Sequence, residues 1–132
     1  MESIINILKE KDCFHSLKGV TENEIRVAEQ ALGLSFTKEY RTYLQTFGLA
    51  SFQGHELTGI IKSPRLSVVV QTVAERNNNP HISDDMYVIE KANIDGIVIW
   101  QENTGEIFET IYDSVPTLIC KSFSEYIEHY SV

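Results

Sequence analysis

The sequence predicts an α+β fold in one domain spanning residues 1–132: N-terminal helices packed on an antiparallel β-sheet meander, with a C-terminal helix. Three observations predict it. Through the first half of the chain, apolar residues recur at spacings of three and four. From residue 86 the pattern changes to β-branched and aromatic runs broken by turn residues. Residues 122–130 then return to helical spacing behind a serine cap. At 132 residues, 42% of them hydrophobic and 10% aromatic, the chain buries enough apolar surface to offset its conformational entropy. Its length suits one domain rather than two.

Residues 2–11 carry Ile4, Ile5, Ile7 and Leu8 at helical spacing and predict an opening amphipathic helix. Thr21 followed by Glu24 is a capping box, in which each side chain satisfies the other residue's backbone N–H. Ile25, Ala28 and Leu32 form the buried stripe of this second helix, with Val27 and Ala31 at its margin, and Gly33 ends it. Thr37 caps a third helix. Its Tyr40, Tyr43, Leu44 and Phe47 share one face as far as Gly48, and they read as an aromatic anchor for the sheet rather than a ligand cage.

Residues 49–62 read as a loop with a short strand near His55–Ile61. Ser63-Pro64 predicts a helix start, with Leu66, Val69, Val70 and Val73 as its apolar face. The β-branched run Val68–Val70 makes a strand over 67–71 the competing reading.

Met86–Ala92, Gly96–Gln101 and Glu106–Tyr112 are predicted strands, the last two joined by the turn Asn103-Thr104-Gly105. Ile97–Trp100 is apolar on both sides, as expected of a central strand covered on both faces. Glu106 and Glu109 fall on opposite faces of their strand. Ser122 and Glu125 form a second capping box for a helix turning Phe123, Tyr126, Ile127 and Tyr130 inward.

The formal net charge of −8 is unevenly spread. Residues 1–83 hold nine acidic and nine basic side chains, whereas residues 84–113 hold eight acidic ones against Lys91 alone. Such a block repels nucleic acid and attracts basic surfaces. The basic residues are scattered singly, so no nucleic-acid footprint emerges. No apolar run approaches the ~20 residues of a membrane span. The start MESIINILKEKD lacks the pattern of a signal peptide, and the expected location is the cytosol.

Signatures of catalysis are sparse. There is no GxGxxG or P-loop, and His15, His55, His81 and His129 show no ligand spacing, so no metal or cofactor is predicted. Cys13 and Cys120 lack CxxC spacing and read as free thiols of a reducing compartment, with a disulfide between them as the lesser alternative. Cys13 lies close to His15 in sequence, but side chains two apart on a helix diverge. Glu102 and Glu106 flank a turn and offer the carboxylate pair of a glycoside hydrolase. The competing reading is a pair of solvated turn acids, favoured by the limited room for a deep cleft.

The run GVTENEIRVAEQALGLSFTKEYRTYLQTFG resembles the N-terminal signature of the SUKH superfamily. Val20, Thr21, Glu24, Ile25, Glu29, Leu32 and Gly33 match its first helix, and Glu39, Tyr40, Tyr43 and Leu44 its second. NTGEIFE is similar to the family's hairpin and SFSEYIEHY to its closing helix. Gly48-Leu49-Ala50-Ser51 replaces a usually glycine-rich turn. The resemblance implies an α+β binding fold without catalytic residues. Many bacterial members are immunity proteins that neutralise a toxin, often a nuclease, encoded by a neighbouring gene; other relatives act as regulatory modules. The motif residues are read as structural. The expected partner is therefore a cognate protein toxin with a basic groove. The expected contacts come from among Asp84, Asp85, Glu90, Glu102, Glu106, Glu109 and Asp113, with Trp100 or Phe108 as an aromatic anchor. Core packing is the competing reading of Trp100. An exposed edge strand would also allow a homo-oligomer.

Overall fold

The computed structural model describes residues 3–92 and 94–129. Among the described residues there are five α-helices: α1 (Ile4–Lys9), α2 (Glu22–Leu32), α3 (Lys38–Phe47), α4 (Val68–Asn78) and α5 (Phe123–His129). Seven strands accompany them: β1 (His15–Ser16), β2 (Ala50–Phe52), β3 (His55–Glu56), β4 (Met86–Lys91), β5 (Ile97–Glu102), β6 (Ile107–Ile111) and β7 (Thr117–Cys120). They form an antiparallel sheet of order β1-β2-β3 and an antiparallel meander of order β4-β5-β6-β7. A bridge between Leu57 and Glu90 joins the two. The architecture is the expected α+β arrangement.

Local sequence accounts for α2 and α3. The Thr21–Glu24 capping box is complete, and Gly33 closes α2 in the left-handed conformation. Thr37 Oγ1 accepts the Tyr40 N–H at 3.1 Å to start α3. Ile25, Ala28 and Leu32 are buried as expected, whereas Val27 and Ala31 face solvent.

The middle of the chain departs from expectation. The strand near residue 55 is only His55–Glu56 and pairs with β2. Ser63-Pro64 opens a 3₁₀ turn over Pro64–Leu66; α4 begins later, where Ser67 Oγ accepts the Val70 N–H at 3.2 Å. Residues 68–70 are therefore helical, but the buried face is Val68 and Thr72, while Val70 and Val73 are each 44% exposed. Thr72 is placed inward by its hydroxyl, which accepts the Val88 N–H at 3.0 Å on the outer edge of β4.

The main core lies between the helices and one face of the meander. Rings of Phe36, Tyr40, Tyr43, Tyr87 and Phe123 stack edge-on or tilted at 4.8–5.9 Å between centroids. The opposite face carries a smaller cluster of Met86, Val88, Val98 and Trp100, with Ile82 and Phe108 against it. Strand β5 is thus apolar on both faces because both are covered. At the C-terminal helix, Ser122 Oγ accepts the Glu125 N–H, but the Glu125 carboxylate returns to the Lys121 N–H rather than that of Ser122. Glu39 of α3 supplies the rest of the cap, accepting the Phe123 N–H at 3.1 Å and the Ser124 hydroxyl. Phe123, Tyr126 and Ile127 are buried; Tyr130 lies outside the described residues.

Gly59 permits the chain to pass α3 closely. A Cβ there would lie 1.9 Å from the Gly48 carbonyl oxygen. Gly59→Ala is therefore expected to cost about 2 kcal/mol or more, seen as a lower urea midpoint with an unchanged slope.

Desolvation raises the phenols of Tyr40, Tyr43, Tyr87 and Tyr126 above their ordinary value of 10.0. A folded-state value above the unfolded one gives stability that is complete below about pH 10 and is lost as pH rises beyond it, because only the unfolded chain releases these protons readily. In an alkaline titration, phenolate absorbance from these four residues should appear together with loss of circular dichroism. Phenolate formation in a fully folded protein would contradict this.

Candidate protein-binding surface

The acidic block does not form one face; the topology divides it. Asp84 and Asp85 precede β4, and Met86 pairs with Glu102 at the far end of β5. The Glu102 N–H donates to the Glu106 carbonyl at 2.9 Å, and the Asn103 N–H to the Asp85 carbonyl at 3.2 Å. Asp84, Asp85, Glu102 and Glu106 are thereby gathered at one end of the meander. The two aspartates are exposed and the two glutamates half-buried. Four carboxylates at this end, against the guanidiniums of Arg76 and Arg26, leave it net negative.

Arg76 of α4 positions this end. Its guanidinium donates to the carbonyls of Leu32, Asp84 and Met86 at 3.1, 2.8 and 3.2 Å, locking the end of α2 to the entry of β4. Sequence reading missed it, because a lone arginine in a helix carries no motif. An open cleft of about 540 Å³ lies alongside, lined by Arg26, Glu29, Gln30, Leu34, Asp85 and Asn103 among others.

Glu102 and Glu106 do come together. The exposed Thr104 hydroxyl lies 3.3 Å from Glu102 Oε1 and 3.4 Å from Glu106 Oε1, which puts the pair on a hairpin tip. Gly105 supplies the positive φ of that turn.

The other expected contact residues lie elsewhere. Asp113 is exposed at the opposite end of the meander, where the Tyr112 N–H donates to the Gly96 carbonyl at 2.9 Å. Glu90 is 4% exposed, and its carboxylate accepts the Tyr126 hydroxyl at 2.6 Å and lies 2.8 Å from His55 Nδ1. A flat partner surface does not reach it, which corrects its expected place among the outer contacts. Glu109 is half-buried on the same face. Trp100 has 0% exposure and donates its indole N–H to Thr110 Oγ1 at 3.0 Å, so it is a core residue and not an exposed anchor. Phe108 is half-buried opposite Leu118, which is 47% exposed.

The motif glutamates are structural. Glu29 accepts the Phe36 N–H at 2.8 Å and pairs with Arg41 Nη1 at 2.9 Å, and Arg41 also reaches Glu22. Cys13 is exposed and Cys120 buried, both as free thiols; desolvation pushes Cys120 up to about 11. Among the described residues no cluster of three or more His, Cys, Asp or Glu side chains is arranged to hold a metal ion. No helix among them is long and apolar enough to cross a membrane.

No curated protein matches the chain. The family model described as SUKH_5, SMI1-KNR4 cell-wall, matches residues 1–131. Members of this family are generally not catalytic. With nearly its whole length matched, the chain belongs to the SUKH family.

Proposed function

We propose that the protein is a cytoplasmic immunity protein that binds a cognate protein toxin, a nuclease, and neutralises it stoichiometrically without catalysis. The observation that carries this reading is the family match over residues 1–131, since the resemblance implies that many bacterial relatives are immunity proteins. Charge supports it. A nuclease that grips phosphate presents a basic groove. Asp84, Asp85, Glu102 and Glu106 offer carboxylates to such a groove from one rigid end of the sheet. Phe108 with Leu118 gives a partly exposed apolar step on the same meander.

The second reading is a regulatory interaction module with no toxin, favoured by the family description, SMI1-KNR4 cell-wall. Affinity purification separates the two: recovery of cell-wall or signalling proteins in place of a toxin favours the module.

The decisive experiment is co-expression with the toxic C-terminal domain encoded by the neighbouring reading frame. Rescue of growth and co-purification are expected; absence of both overturns the immunity reading. Neutralising Asp84, Asp85, Glu102 and Glu106 together, as Asn and Gln, should slow association about tenfold or more at low salt. The wild-type on-rate should also fall markedly between low and physiological ionic strength. A salt-independent on-rate would point to a mainly apolar contact.

A further inference from the structure

Strand register sets four residues in one row across the meander: Glu90 opposite Ile99, Ile99 opposite Glu109, and Glu109 opposite Thr117. A regular β4 would not place Glu90 there. Continuing from Val88 opposite Trp100, the next residues would pair Ile89 with Ile99 and Glu90 with Val98, turning Glu90 to the Trp100 face. A bulge between Val88 and Glu90 slips the register by one and brings the glutamate to the Ile99 face. Bulges recur where a strand re-aims a side chain towards a site.

Glu90, Ile99 and Glu109 of this row line a pocket of about 240 Å³, with Ile97 and Ile119 adding to its apolar lining and His55 and Tyr126 to its polar wall. That volume falls below the ~300–1,000 Å³ typical of small-molecule sites and suits one inserted side chain. Glu109 is half-buried, and its side-chain carboxylate makes no hydrogen bond or ion pair among the described residues. Glu90 uses one oxygen for Tyr126 and the other for His55, which leaves acceptor capacity on a group with about four lone-pair sites. Neighbouring strands lie about 4.8 Å apart, so the two glutamates flank Ile99 with backbones about 10 Å apart. An apolar floor between two carboxylates is complementary to an aliphatic stem ending in a cation.

We propose that this pocket receives a lysine or arginine side chain of the protein partner, its stem on the isoleucines and its charged head between Glu90 and Glu109. This rests on the reading of the protein as a binder of a basic toxin, and it adds a specific anchor point to that contact.

The test is a titration of the whole chain with N-acetyl-arginine amide and N-acetyl-lysine amide, followed by methyl NMR, with N-acetyl-norleucine amide as the uncharged control. The cationic probes should shift the methyls of Ile97, Ile99 and Ile119, and norleucine amide should not. Glu109→Gln should keep the wild-type melting temperature, since the Glu109 carboxylate has no hydrogen bond or ion pair to lose, and should weaken the cationic probes roughly tenfold. No shift at those methyls, equal binding of norleucine amide, or undiminished binding to Glu109→Gln would each overturn the proposal. The titration contains no toxin, so its result stands apart from the co-expression result. Rescue together with a silent pocket would sink the anchor alone, and probe binding without rescue would sink the toxin alone.

Discussion

Thr58 is 2% exposed, and every polar group it carries is engaged. Its N–H donates to the Ile89 carbonyl at 2.9 Å, and its carbonyl accepts the Tyr43 hydroxyl at 2.8 Å. Its hydroxyl has one proton, given to the Val88 carbonyl at 2.8 Å, so the 2.8 Å contact with Tyr40 must have the phenol as donor. Two tyrosines one helical turn apart on α3 are thus pinned to β4 through one residue. In a low-dielectric core, an unmatched hydroxyl costs more than a matched one contributes. The register of α3 on the sheet is consequently narrow. The same residue follows the Leu57–Glu90 bridge that joins the two sheets.

Much of the remaining structure follows from that pinning. With α3 fixed, Glu39 stands where it accepts the Phe123 N–H, and α5 is capped by a residue 84 positions earlier in the chain. Glu29 of α2 reaches back to the Phe36 N–H and to Arg41, which sets the angle of the α2–α3 turn. The outer edge of β4 has its backbone groups taken by Thr58 and Thr72, so this edge does not invite a further strand. The helices and β4 form one braced unit, and the hairpin ends of the meander project from it.

What the sequence revealed depended on how local the determining physics was. The capping box at Thr21 and the glycine stop at Gly33 involve residues within a turn of each other, and both were legible. The aromatic face of α3 follows helical spacing alone, and it is buried as read. The face of α4 was misread because a hydrophobicity pattern ranks Val70 and Val73 above Thr72; what turns Thr72 inward is a hydrogen bond to a strand sixteen residues away. Strands β1, β2 and β7 are two to four residues long and owe their existence to pairing partners, which is why their short runs carried no signal. At the candidate surface, the two aspartates and the two turn glutamates were legible as acids but not as neighbours. Their meeting requires the register between β4 and β5.

The bulge in β4 bears on how charge is used here. A run of carboxylates in sequence suggests one negative face, yet alternation along strands, two hairpin ends and one register slip send the same residues to three places. The end cluster of Asp84, Asp85, Glu102 and Glu106 has access to solvent, where charges steer encounter over about a Debye length but contribute little to holding a complex together. Glu90 and Glu109 sit against isoleucines, where a cation gains more from each carboxylate because water screens less. On the proposed reading the exposed acids govern how fast a basic partner arrives, and the half-hidden pair governs which partner stays. Such a division needs Glu90 on the Ile99 face, and a single extra residue in β4 puts it there.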